Sequence, residues 1–203
     1  MSLTRLALLS LCLVSAAPAF AKGPPKPLPD WPCSGALAGP LEPAMLWPGA
    51  APEGEWHEDP VARELVDFLT ASENSPAMGE REIADYTEKH GPVPRPTALR
   101  VVAGMVERGN ILRQILLKGI KDQIIRSHVL AEVVAQNAAA IDAAQKQPGD
   151  EAQRQAAQLA ETRRQNLNGL DDADDTAERL CHRLSYDETK LRRLAAALQA
   201  HTQ

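Results

Sequence analysis

Two long runs of helix-period apolar residues, joined by a four-residue break, constrain this chain more than any other feature. In the outbound run, Pro96 to about Lys146, apolar residues recur at Val102, Val106, Leu112, Leu116, Ile120, Ile124, Leu130, Val134 and Ile141. Steps of three and four place them on one helix face, and over this length they read as a coiled-coil-like seam. Gln147-Pro148-Gly149-Asp150 interrupts it. Proline cannot continue a helix, glycine accepts a left-handed turn, and aspartate can cap the next helix. The return run, Asp150 to about His201, repeats the spacing at Leu159, Leu167, Leu170, Ala177, Leu180, Leu184, Leu191, Leu194 and Leu198. Matched legs around one tight turn predict an antiparallel hairpin, each leg spanning roughly 75 Å at about 1.5 Å per residue.

Two shorter helices are expected before the hairpin. Asp59-Pro60 is a start signal, a capping side chain followed by proline at the first helical position. Val61, Leu65, Phe68 and Leu69 then form a stripe that ends before Glu73-Asn74-Ser75-Pro76. A second helix is expected from Glu80 to Lys89, stopped by Gly91-Pro92. Between Leu99 and Val134 the outbound leg carries a second stripe: Met105, Ile111, Ile115, Ile125, Val129 and Val133. One partner helix cannot cover so wide a face, so the short helices and the N-terminal arm are expected to pack there. Past Gln136 both legs turn to alanine and glutamine, which predicts a slim two-helix tip. The fold class is therefore all-α: a long antiparallel helical hairpin, two short helices at its base and a Pro-rich extended N-terminal arm. The division is a signal peptide at 1–21, the arm at 22–58 and a helical domain at 59–203, with the hairpin at about 96–201 and its turn at about 147–150.

Arg5, the apolar run Leu6 to Ala17 and Ala19-Phe20-Ala21 have the order of a cleavable signal peptide. A mature chain of 203 − 21 = 182 residues has no second run long enough for a bilayer, so it is expected to be periplasmic without stable membrane insertion. Loss of Arg5 leaves 21 basic against 27 acidic residues. Mild acidity with two Phe and two Tyr excludes the basic stripe and stacking platform of a nucleic-acid binder.

The arm holds Pro24, Pro25, Pro27, Pro29, Pro32, Pro40, Pro43, Pro48 and Pro52, and helix is not expected in it. It also holds Trp31, Cys33, Leu41, Met45, Leu46 and Trp47, which a disordered tail has little use for. It reads as a segment laid along the helices, and Trp31 and Trp47 are its candidate partner contacts. Cys33 and Cys181 are the two cysteines left after signal removal, and an even pair in an oxidising compartment reads as a disulfide. The stretches Asp30-Trp31-Pro32-Cys33 and Ala44-Met45-Leu46-Trp47-Pro48-Gly49, with the late Cys181, resemble a pattern in exported bacterial helical proteins that carry no assigned activity. The resemblance implies a secreted helical protein and no mechanism.

Chemistry-bearing motifs are sparse. Asp171, Asp172, Asp174, Asp175 and Glu178 form a dense acidic run, without the loop glycine of a calcium site. With the turn centred between 148 and 149, facing positions add to about 297, which sets Lys118, Lys121 and Arg126 near that run. Interhelical charge pairing is the expected role. His57, His90, His128, His182 and His201 are scattered with no metal-ligand spacing, and no nucleophile elbow, phosphate loop or dinucleotide fingerprint is present. No catalytic, cofactor or metal residue is assigned. The expectation is a non-enzymatic periplasmic protein-binding or adaptor protein with an unidentified protein partner and a possible homo-oligomeric state. A holdase-like chaperone and a metal-binding hairpin are the alternatives.

Overall fold

The computed structural model describes residues 31–33, 39–49 and 54–203; the expected signal peptide and about half of the arm lie outside them. Among the described residues five helices occur, in the order α1 Pro43–Leu46, α2 Pro60–Thr70, α3 Pro76–His90, α4 Arg95–Gln145 and α5 Asp150–Ala200. A single helical turn, Trp56–Glu58, precedes α2. The two long helices pack antiparallel over their whole length and form the hairpin. No strand occurs among the described residues beyond an isolated bridge between Val93 and Thr202, which ties the C-terminus to the start of α4.

The local signals explain the element ends. Asp59 Oδ1 accepts from the Val61 and Ala62 amides and caps α2, while Ser75 Oγ accepts from Met78 and caps α3. That cap starts α3 at Pro76, one turn before the expected Glu80, because proline suits the first helical position. Gly91, at φ 83°, ends α3, and Gly149, at φ 110°, turns the hairpin. A four-residue helix does form in the proline-rich arm, contrary to expectation; it begins on Pro43, the one helical position where proline costs nothing.

The base is a true core. Leu65, Val66 and Leu69 of α2, Ile83 of α3, Val101, Val102 and Met105 of α4, and Leu191, Leu194 and Leu198 of α5 are all buried together. Leu41, Leu46, Trp47 and Trp56 join the same cluster, so the C-terminal part of the arm packs as one unit with the helices. Helical glycines permit the close approach: a Cβ on Gly79 would lie 2.5 Å from a methyl of Leu194, and one on Gly104 would lie 2.6 Å from Val66 and 2.8 Å from the Trp56 ring. Arg193 clamps α5 to α3 through both carboxylate oxygens of Glu80.

Past the base the hairpin's seam is built by the two long helices, with residues 31–33 of the arm tied alongside. Leu116, Ile120 and Ile124 fill the seam from α4, and Ala173 and Ala177 fill it from α5; nearer the turn Ala144, Ala152 and Ala156 take over. Leucines seat against glycines across it, Leu180 on Gly119 and Leu130 on Gly169, as Leu191 does on Gly109. Those facing positions, 119 with 180, 130 with 169 and 109 with 191, add to 299 or 300, close to the 297 expected from the turn alone.

Candidate interaction surface

The wide apolar face of α4 is only partly covered. Met105 is fully buried in the base, but Ile111, Ile115, Ile125 and Val129 remain between 53 and 63% exposed. This corrects the expectation that the short helices and arm cover the second stripe. The reason is length: α2 has 11 residues and α3 has 15, against 51 in α4. At about 1.5 Å per residue they span roughly 16 and 22 Å of a 75 Å rod. Four large β-branched side chains on one line of an otherwise polar helix surface are the main exposed apolar feature of the described residues.

Lys118 and Asp122 lie in the middle of that line, bonded to each other at 2.5 Å along the helix. At 100° per residue, positions 111 and 129 are five full turns apart and point the same way, opposite the buried Ile120. Positions 115, 118, 122 and 125 fall within about 40° of that direction. The base bounds the line at one end: Trp56 donates its indole N–H to Glu107 at 2.8 Å and packs over Gly104.

The expected contact residues of the arm divide. Trp47 is only 3% exposed and lies beneath the Arg95 guanidinium, so it anchors the arm in the core and offers no surface to a partner. An indole beside this many apolar neighbours gains more from burial than from display. Trp31 is half-buried. Cys33 and Cys181 are bonded to each other, closing a separation of 148 residues and fixing the arm to α5. Pro32 lies by Ile124 and His128 of α4 and Asp174, Ala177 and Glu178 of α5, so the described part of the arm extends along the hairpin beyond the base.

The acidic run does not pair across the seam, which corrects the expected charge register. Asp171, Asp172, Asp174 and Asp175 are exposed, and among the described residues no ion pair joins them to a basic side chain. Ala173 and Ala177 occupy the seam positions of that stretch, so the aspartates between them point outward. Lys118 finds Asp122 on its own helix instead.

Two buried charges carry no signal in the motifs of the sequence. Arg113 is 5% exposed and bonds Glu188 across the seam. Lys190, equally buried, donates to the carbonyls of Ala71 at 2.8 Å and Asn74 at 2.7 Å, closing the C-terminal end of α2. Burial lowers the Lys190 pKa from its ordinary value, with Asp187 opposing. Continuing the seam from Gly109 to Leu116 in steps of four and three would have landed on Arg113. Beside Lys190 a cleft of about 400 Å³ opens between α2 and the hairpin. Its charges are engaged with one another, Arg108 with Asp67 at 2.6 Å and Arg183 with Asp187 at 2.7 Å.

Among the described residues no group of three His, Cys, Asp or Glu side chains is placed to hold a metal ion, and no helix is long and apolar enough to cross a membrane. No family model, no curated protein and no solved structure matches the chain.

Proposed function

We propose that this is an exported, periplasmic, non-enzymatic protein that works by protein–protein contact, as a binding or adaptor protein whose contact surface is the outer face of α4. The observation that carries the reading is the uncovered line Ile111, Ile115, Ile125 and Val129. Leaving four such side chains in water forgoes roughly 1–2 kcal/mol apiece of burial, a cost that an interface removes. The Cys33–Cys181 bond supports an oxidising compartment. A holdase is less well supported, since a single row on a convex helix is not a groove.

A photo-crosslinking residue at Ile115 or Val129 of the exported chain is expected to capture a protein in cells. The same probe at Asp172 or Asp175, on the charged outer side of α5, is expected to capture none. Equal capture at all four positions, or none at any, removes the surface and the reading with it.

A further inference from the structure

We infer that the occupant of the α4 outer face is a second copy of this chain, bound antiparallel about a two-fold axis beside Ile120. The inference rests on the contact reading above and names its partner.

The line is symmetric about its own centre. Reversing α4 about position 120 takes Ile111 onto Val129, Ile115 onto Ile125, and Lys118 onto Asp122. Each pair adds to 240, and the order along the helix is apolar, apolar, Lys, Asp, apolar, apolar. A closed dimer requires such a self-complementary patch, in which a residue meets its counterpart's partner and the reverse holds as well. Here every apolar side chain meets an apolar one, and each central charge meets its opposite. Parallel pairing would instead set Lys118 on Lys118 and Asp122 on Asp122, so the charges select the antiparallel register.

The face is open from Ile111 to Val129, and because the Trp56 turn stands on the same side of α4 over Gly104, the two helices cross at an angle that carries the partner's far end past it. The six positions project directly away from the seam with α5, and all six are exposed. Lys118 and Asp122 already share one bond at 2.5 Å, so two copies would bring four charges of alternating sign together without stranding any of them. Eighteen residues of helix are about 27 Å long, and two helices of ordinary width meeting over that length bury roughly 1,000 Å² in total. That is the lower edge of the range for specific assemblies, which sets the expectation of a dimer that dissociates at micromolar concentration.

Sedimentation velocity of the full mature chain, from about 1 to 200 µM, tests the assignment. A monomer–dimer equilibrium is expected. The double variant Ile115→Asp, Ile125→Asp should sediment as a monomer throughout while keeping its helicity and melting temperature, because neither side chain belongs to the core. Lys118→Glu and Asp122→Lys should each weaken the dimer about tenfold or more, by setting like charges in contact. An equimolar mixture of these two variants should then form a heterodimer in preference to either homodimer, since one copy offers two acids to the other's two bases. A monomer at every concentration overturns the inference, as does a dimer that survives the two aspartates. Dimers whose charge variants fail to prefer each other overturn the register and with it the inference. If the chain is monomeric but a probe at Ile115 still captures a different protein in cells, the second copy is rejected while the contact reading stands.

Discussion

Gly104 sits where α4 meets both α2 and the Trp56 ring, and a methyl group there would lie within 3 Å of each. Alanine would gain about 1 kcal/mol of helix propensity, but forcing apart a ring and a β-branched side chain costs typically 1–3 kcal/mol. Gly104→Ala is therefore expected to lower stability by up to about 2 kcal/mol in chemical denaturation. A rise in stability would show that the base is packed more loosely than its geometry indicates. Asp59 is the other residue on which several elements converge. Burial tends to raise its pKa, but the Ala62 amide, the Thr97 hydroxyl, the Arg100 guanidinium and the Val61 amide outweigh that and hold it below 3.8. A carboxyl depressed on folding contributes stability that is present above its unfolded value and lost as pH falls through its folded one. Asp59→Asn keeps a capping oxygen and loses the charge. The parent should be the more stable at pH 7, with the gap closing below the ordinary value of 3.8. A gap unchanged in acid would mean that shape rather than charge holds Asp59 in place.

At the scale of the elements, the hairpin is two structures in series. From Arg95 to about Arg113 of α4, side chains bury against α1, α2 and the Trp56–Glu58 turn as well as α5; beyond that point the partner is chiefly α5. Its far end is closed by Ala144, Ala152 and Ala156, small side chains that permit close helix contact but remove little apolar area from water. Excising two heptads from each leg beyond Leu130 and re-closing the turn, with the register kept and Val129 retained, should leave the melting temperature within a few degrees. Circular dichroism would check this. A steep fall would place the far end in the cooperative core. The shortened chain retains Ile111, Ile115 and Ile125, so it also separates a role for the rod's length from a role for the α4 face.

For the molecule as a whole, the disulfide is the constraint of longest reach. It joins the arm to α5 near the middle of the hairpin, where both cysteines are only half-buried. A loop closed over 148 residues loses much of its unfolded-state entropy, which in the chain-entropy model stabilises by roughly 4–5 kcal/mol. Replacing both cysteines with serine is expected to lower the unfolding free energy by about 2–5 kcal/mol and to leave the helices formed, since the base core does not include Cys33. Matched denaturation curves of parent and variant measure the difference. A variant as stable as the parent would show that the unfolded chain is already compact enough to lose nothing by the link.

The helical hairpin, its turn, the cap at Asp59 and the cysteine pairing were all legible in the sequence, because each comes from local chemistry or from there being one partner to choose. Period alone says that α4 is apolar on two faces. It does not say how far its neighbours extend, and that decides which stretch is buried: Gly104 lies under Val66 of α2 and the Trp56 ring, while Ile111, seven residues on and within about 20° of the same direction, stands in water. The same distinction governs charge. A sum over facing positions brings Lys118 to the level of the acidic run, but Ala173 and Ala177 take the inward directions and leave the aspartates outside. Trp47 could be read as display or as anchor from its proline-rich setting, and only the packing of the base around it made it an anchor. Direction about a helix axis and the reach of neighbouring elements belong to the assembled fold. Periodicity, capping and chain breaks belong to the sequence, since they act between residues a few positions apart.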